Sequence, residues 1–211
     1  MKVIAFNGSP HKEGNTYHAL KLVCDELEKN GIDTEIVCVG DKDIRGCIAC
    51  YQCAKNKDEK CVLPGNEVND AIQKMKSADG ILLGSPVHFS GLGSKFKCFL
   101  DRVFYVSSVN GKMMQHKVGA AVTAVRRSGG MPTFQQLNIY FLYSQMFLAT
   151  SNYWNVIHGA RPGEALEDAE GVQIMQILGN NMAYLMKMIE VGREKIEAPE
   201  NVKKVYTNFV R

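Results

Sequence analysis

The feature that most constrains this chain is an alternation between short, wholly apolar runs and longer segments whose apolar residues recur every three or four positions. Val3–Phe6, Gly80–Ser85 and Val118–Val125 are runs of the first kind. Within them, Ile81-Leu82-Leu83 and Ala120-Ala121-Val122 suit strands buried on both faces. Between the runs, Leu20, Val23, Cys24 and Leu27 mark one face of a helix over Thr16–Asn30, which Gly31 stops. The same reading predicts a strand over Thr34–Val39, a helix over Glu67–Ser77 and a helix from about Gly93 to Tyr105 with Phe96, Phe99, Leu100 and Val103 on one face. A helix near Thr133–Gln145 and a strand near Phe147–Tyr153 follow. After an irregular stretch to Glu170, a last helix carries Met175, Leu178, Met182, Leu185 and Ile189, the methionines as core filler. Five strands alternating with five helices predict an α/β domain whose parallel sheet is covered on both faces. Ligands in such domains bind past the carboxyl ends of the strands, where the strand order reverses, so the loops after strands one, three and four are the places to look.

No linker, repeat or low-complexity tract divides the 211 residues, which read as one domain. The balance of 25 basic and 22 acidic residues argues against a dedicated nucleic-acid or membrane-surface protein. The apolar runs fall far short of the roughly 20 residues that cross a bilayer. The apolar start, Val3-Ile4-Ala5-Phe6, is too short for a signal peptide, so the expected location is the cytoplasm. There thiols stay reduced, and a cluster of cysteines implies metal or catalysis rather than disulfides. Of the seven cysteines, Cys24, Cys38 and Cys98 sit in apolar patterns and read as small core residues. Cys47, Cys50, Cys53 and Cys61 crowd into a stretch from Gly40 to Gly65 that has no period and reads as one long functional loop.

After strand one comes Gly8-Ser9-Pro10-His11-Lys12-Glu13-Gly14-Asn15-Thr16, running into a helix. Glycines for close approach, hydroxyl and amide side chains and a helix N-terminus suit a phosphate dianion. The pattern is neither a Walker loop nor Gly-x-Gly-x-x-Gly, and a plain capped turn explains it equally well. After strand three, Ser85-Pro86-Val87-His88-Phe89-Ser90-Gly91 sets a histidine, an aromatic ring and free amides where they can border a flat heterocycle; singly, His88 and Phe89 read as packing residues. After strand four, Arg126-Arg127-Ser128-Gly129-Gly130 is basic and flexible.

Taken together and in this order, Gly8-Ser9-Pro10, Gly14-Asn15-Thr16, Ser85-Pro86-Val87-His88-Phe89-Ser90 and Phe99-Leu100-Asp101-Arg102 resemble the NADPH-dependent FMN reductase family, over at least Met1 to about Gly130. The resemblance implies a flavodoxin-like, doubly wound five-stranded sheet of order 2-1-3-4-5 with FMN at the switch point. Ser9, Asn15 and Thr16 would hold the FMN phosphate in a loop shaped by Pro10 and completed by Lys12 and Gly14. Pro86, Val87, His88, Phe89 and Ser90 would border the isoalloxazine, and Arg126, Arg127, Gly129 and Gly130 would close its other side. The family often has tyrosine where this chain has His88. The spacing Cys47-x2-Cys50-x2-Cys53-x7-Cys61 resembles a narrower branch, the iron–sulfur flavoproteins, whose four thiolates hold a [4Fe-4S] cube. Tetrahedral zinc and unmetallated thiols remain open beside it.

The resemblance implies an FMN-dependent oxidoreductase that takes hydride from NADPH or NADH and passes electrons to an acceptor, either a small molecule or a ferredoxin-like protein. The alternative is an electron carrier that couples a [4Fe-4S] cluster to FMN. The flavin carries the chemistry, so no catalytic side chain is expected, and no Ser/His/Asp constellation is visible. Leu137-Asn138-Ile139-Tyr140-Phe141-Leu142-Tyr143 is apolar almost all round, which predicts a homodimer or larger closed assembly.

Overall fold

The computed structural model describes residues 1–207 and 209. Its chain order is β1 (Lys2–Asn7), α1 (Asn15–Lys29), β2 (Asp33–Cys38), α2 (Gln52–Asn56), α3 (Asn66–Ser77), β3 (Gly80–Pro86), α4 (Ser94–Val109), β4 (Val118–Val125), α5 (Gly130–Tyr143), β5 (Phe147–Leu148), β6 (Val156–His158) and α6 (Ala169–Arg193). The strands are parallel and ordered β2-β1-β3-β4-β5, with β6 also paired to β4. This is the flavodoxin-like order expected from the sequence.

Alternate side chains of the central strands feed two cores. Ile4, Phe6, Ile81 and Leu83 pack with α3, α4 and α5 through residues such as Ile72, Phe99 and Phe141. Val3, Ala5, Leu82 and Val122 pack with α1 and α6 through Leu20, Val23, Met175 and Met182. Burial on both faces explains why these strands are continuous apolar runs. Close approach of α6 to α1 depends on Gly179, where a Cβ would stand 2.7 Å from the Val23 carbonyl oxygen. The predicted stop after α1 is real: Gly31 has φ +78, and the Gly31 and Ile32 N–H groups bond back to Glu28 and Leu27.

Three expectations change. The sheet has six strands rather than five, because the edge predicted over Phe147–Tyr153 is split. β5 pairs with Val118 and Gly119, the chain loops out through Tyr153 and Trp154, and β6 rejoins β4 at Thr123–Val125. Asn155, 2% exposed, bridges the gap. Its carbonyl accepts from Thr123 N at 3.0 Å, and its side-chain amide donates to Ala121 O at 3.0 Å, a bond an edge strand's N–H would otherwise make. The loop expected from Gly40 to Gly65 contains the short helix α2. Cys24 is buried as expected, but Cys38 and Cys98 are only partly buried, and Cys98 abuts the loop at Gly46. Among the described residues, no helix is long and apolar enough to cross a membrane.

Candidate functional site

The turn from β1 to α1 is built by its own polar groups. Ser9 N donates to Asn7 Oδ1 (3.0 Å), His11 N donates to Ser9 Oγ (3.1 Å), and Asn7 Nδ2 donates to Lys12 O (3.2 Å). Gly8 is obligatory, since a Cβ there would lie 2.2 Å from Phe96 Cδ1, and a Cβ on Gly40 would lie 2.2 Å from Gly8 O. Among the described residues, no side chain caps α1, and the N–H groups of Asn15, Thr16 and Tyr17 in its first turn have no hydrogen-bond partner. An uncapped helix N-terminus beside a glycine turn is chemically suited to an anion. Ser9, Gly14 and Thr16 are buried around it, whereas Pro10 and Lys12 are exposed. Asn15 is already engaged: its Nδ2 donates to Arg161 O (2.9 Å) and its Oδ1 accepts from Ala165 N (3.2 Å).

The loop after β3 is a tight turn in which His88 and Gly91 exchange backbone bonds at 2.9 and 3.0 Å. Phe89 (φ 47) and Ser90 (φ 60) hold left-handed conformations at its tip, a cost of order 1–2 kcal/mol each for non-glycine residues. The structure brings Val87 and Ser90 to the loop after β4: a Cβ on Gly129 would meet Val87 Cγ1 at 2.8 Å and Ser90 Cα at 3.0 Å, while Pro86 ends β3 beside Ala124 of β4. Phe89 is not brought in; its ring is fully exposed. Arg126 and Arg127 are exposed too. Two cavities flank these loops. One of about 400 Å³ is lined by Gly8, Pro10, Gly40, Asp41, His88 and Lys95. The other, of about 360 Å³, is lined by Arg127, Gly129, Gly130, Trp154, His158 and Asp168 among others. Asp41 Oδ1 is buried without a hydrogen-bond partner in the first cavity. In the second, burial alone would raise the Asp168 carboxyl, but N–H groups of Gly171 and His158 and the His158 ring hold it below the usual range.

All four clustered cysteines line one cleft, together with Tyr51, Arg102, Tyr105 and Val106, and none forms a disulfide. Cys53 is buried and Cys61 half-buried, while Cys47 and Cys50 face solvent. Burial pushes the Cys53 thiol up, with smaller contributions of the same sign from Cys61 and Cys50. The enclosed room is only about 20 Å³, so the loop must open outward to admit anything larger than a water. Ala49 (φ 51) and Tyr51 (φ 57) hold left-handed conformations on either side of Cys50. Among the described residues, no backbone N–H from Arg45 to Tyr51 has a hydrogen-bond partner. Free amides around αL residues form concavities that bind anions, iron–sulfur centres included. Among the described residues, no three His, Cys, Asp or Glu side chains converge as ligands of a single metal ion. The donor set and the free amides fit a cluster, and the closed room is the one feature that must change.

Arg102, which the sequence shows only as the end of Phe99-Leu100-Asp101-Arg102, enters the cysteine cleft, and Asp41 and the Tyr153–Trp154 wall line the two cavities without having been expected there. The signal for Arg102 was present: it lies among Phe96, Phe99 and Val103 on a helix face that should carry no charge.

The fold and its strand-end loops define a flavodoxin-like domain with an anion-suited turn at the switch point. The profile of the NADPH-dependent FMN reductases matches residues 1–161, and the chain belongs to this family of FMN-binding oxidoreductases. It is similar to an iron–sulfur flavoprotein of Methanocaldococcus jannaschii, 34% identical over 90% of this chain and 100% of that one. An iron–sulfur flavoprotein of Methanosarcina thermophila is 24% identical over 92% of this chain and 100% of that one. Among solved structures, an NAD(P)H:quinone oxidoreductase from Methanothermobacter marburgensis shares the fold with TM-score 0.62 at 15% identity, covering 86% of this chain and 94% of that one.

Proposed function

We propose that this chain is an oxidoreductase of the iron–sulfur flavoprotein type, holding FMN at the strand-end loops and a [4Fe-4S] cluster on Cys47, Cys50, Cys53 and Cys61. The observation that carries the reading is the gathering of those four thiols into one cleft, with unpaired backbone amides around them. The names of the two archaeal relatives support it. Bound flavin would supply exchange between two-electron and one-electron chemistry, and the cluster would accept electrons singly.

The chain's own residues bind and orient. The first-turn amides of α1 and the Ser9 and Thr16 hydroxyls would hold the phosphate, with charge-assisted bonds worth roughly 1.5–3 kcal/mol each. Asn15 would act from behind, fixing the 159–165 segment to the start of α1. Pro86, Val87, His88 and Ser90 would line one side of the ring, and Gly129 and Gly130 the other. Exposed Arg126 and Arg127 would draw in an anionic nicotinamide phosphate. NADPH or NADH as donor, with a small-molecule acceptor and no cluster, is the second reading, and the family match favours it. A homodimer or larger assembly in the cytoplasm remains part of the proposal.

Anaerobic purification from iron-replete cells decides between the readings. The expected preparation contains FMN with about four irons and four sulfides per chain. Cys50→Ser should lose the iron and keep the flavin. Iron-free protein with freely titrating thiols leaves the second reading.

A further inference from the structure

Arg102 is the largest side chain buried to within 2% of full exclusion from solvent, at 1% exposed. Among the described residues it makes no ion pair; the arginine pairs are those of Arg161 and Arg193. Its guanidinium instead donates to Arg45 O (3.2 Å), Pro64 O (3.1 Å) and Leu63 O (2.8 Å), and its Nε donates to Cys61 Sγ (3.3 Å). Carbonyl oxygens take three of the five N–H groups and the Cys61 sulfur a fourth, and among the described residues no carboxylate pairs with the guanidinium. Glu67 approaches, its Oε2 and Arg102 Nη1 lying 3.5 and 3.8 Å from where a Cβ on Gly65 would stand, but among the described residues it makes no ion pair with Arg102. A buried charge without a direct partner is costly. Arginine stays charged in such a place because its guanidinium does not give up a proton in proteins. A negative charge in direct contact with the guanidinium is therefore what the cleft lacks.

We propose that Arg102 is the fixed counter-charge and positioning residue for the metal cluster of the four-cysteine cleft; the proposal rests on the cluster reading above. Metal-bound cysteines are thiolates, so loading the cleft places net negative charge beside the guanidinium. Three of the contacts also define where the loop closes. Arg45 lies just before Cys47, and Leu63 and Pro64 lie just after Cys61, so one side chain ties both ends of the ligand loop to α4. The helix holds it rigidly, because Phe99 and Val103 on the same face are fully buried. A purely structural clamp would need the hydrogen bonds and not the charge, and this difference is what a test must read.

The test compares wild type, Arg102→Lys and Arg102→Gln, each reconstituted anaerobically with iron and sulfide. Folding is checked by circular dichroism and FMN content. A dithionite titration followed by electron paramagnetic resonance reads the cluster's potential: dithionite splits into two sulfur dioxide radical anions, each gives up one electron to one cluster, and the reduced cluster carries one more negative charge. In Arg102→Gln the ratio of reduced to oxidised cluster at fixed potential should fall at least tenfold, which is 59 mV for one electron. Arg102→Lys, which keeps the charge, should stay within about threefold of wild type. Loss of iron from Arg102→Gln alone, with FMN retained and Arg102→Lys loading normally, also supports the counter-charge. Equal potentials in wild type and Arg102→Gln overturn it while the cluster reading stands. So does an Arg102→Lys protein shifted as far as Arg102→Gln. Wild type that takes up no iron while binding FMN overturns the cluster reading, and this proposal with it.

Discussion

Asn155→Ala tests whether a side chain stands in for a missing piece of strand. The substitution removes the bond from Asn155 Nδ2 to Ala121 O (3.0 Å) and leaves that carbonyl unpaired inside the sheet. An unpaired buried acceptor costs about 1–3 kcal/mol. It also removes the acceptor for Ser151 Oγ (2.7 Å), a partly buried bond with a net worth of about 0.5–1.5 kcal/mol. The backbone bond from Thr123 N survives. The total is about 2–4 kcal/mol, which for a domain of this size lowers Tm by roughly 4–16 °C. Urea unfolding followed by circular dichroism, at fixed flavin concentration, should show a lower midpoint and an unchanged slope. Ser151→Ala removes that bond together with the Ser151 Oγ contacts to Tyr153 O (2.6 Å) and from Tyr153 N (3.3 Å), so its cost, about 1 kcal/mol, bounds the smaller contribution from above. Asn155→Asp should be worse than Asn155→Ala, because it turns an acceptor toward the Ala121 carbonyl and buries a charge. If Asn155→Ala unfolds within about 0.5 kcal/mol of wild type, the side chain is not holding the split edge and the reasoning fails.

Three further outcomes follow from the site. Ser9→Ala combined with Thr16→Ala should weaken FMN binding by roughly 3–6 kcal/mol if each hydroxyl makes a charge-assisted bond to the phosphate; fluorescence titration checks this, and unchanged affinity moves the phosphate elsewhere. Asp168, its carboxyl held low by N–H donors, stabilises the fold above the unfolded value near 3.9 and ceases to as pH falls through its folded value. The wild-type melting temperature should therefore drop more steeply below about pH 4 than that of Asp168→Asn, and parallel profiles would refute the assignment. Finally, Ile139, Leu142 and Tyr143 are more than half exposed on α5; Leu142→Glu should turn a dimer into monomers by sedimentation at micromolar concentration, whereas a monomeric wild type disproves the interface.

Much of the fold was legible because its signal is local. A strand buried on both faces must be almost wholly apolar, as Val118–Val125 is apart from Thr123, and helix faces such as Leu20, Val23, Cys24 and Leu27 follow from period alone. The edge was not legible. Phe147 to Tyr153 is strand-like residue by residue, and nothing local says that Asn155 will reach back to Ala121. In the site, glycine turns and clustered thiols show themselves in order and spacing. Asn15 did not: its residue type suits a phosphate, yet its amide partners lie about 150 residues away. Arg102 is similar, since its partners follow from how the loop folds back onto α4.

That helix ties the two loops together mechanically. Near its start, Phe96 presses on Gly8 at the anion-suited turn. Less than two turns on, Arg102 grips the cysteine loop at Leu63 and Pro64. Six residues of helix separate these holds, about 9 Å of rise, and Phe99 fixes the helix to β1 between them by packing on Phe6. A rod clamped at three points does not flex, so a slide along its axis displaces both loops by the same amount. The spacing between these two holds is thus a single machined dimension of this molecule, and the cysteine loop can open only between its anchors at Arg45 and Leu63–Pro64.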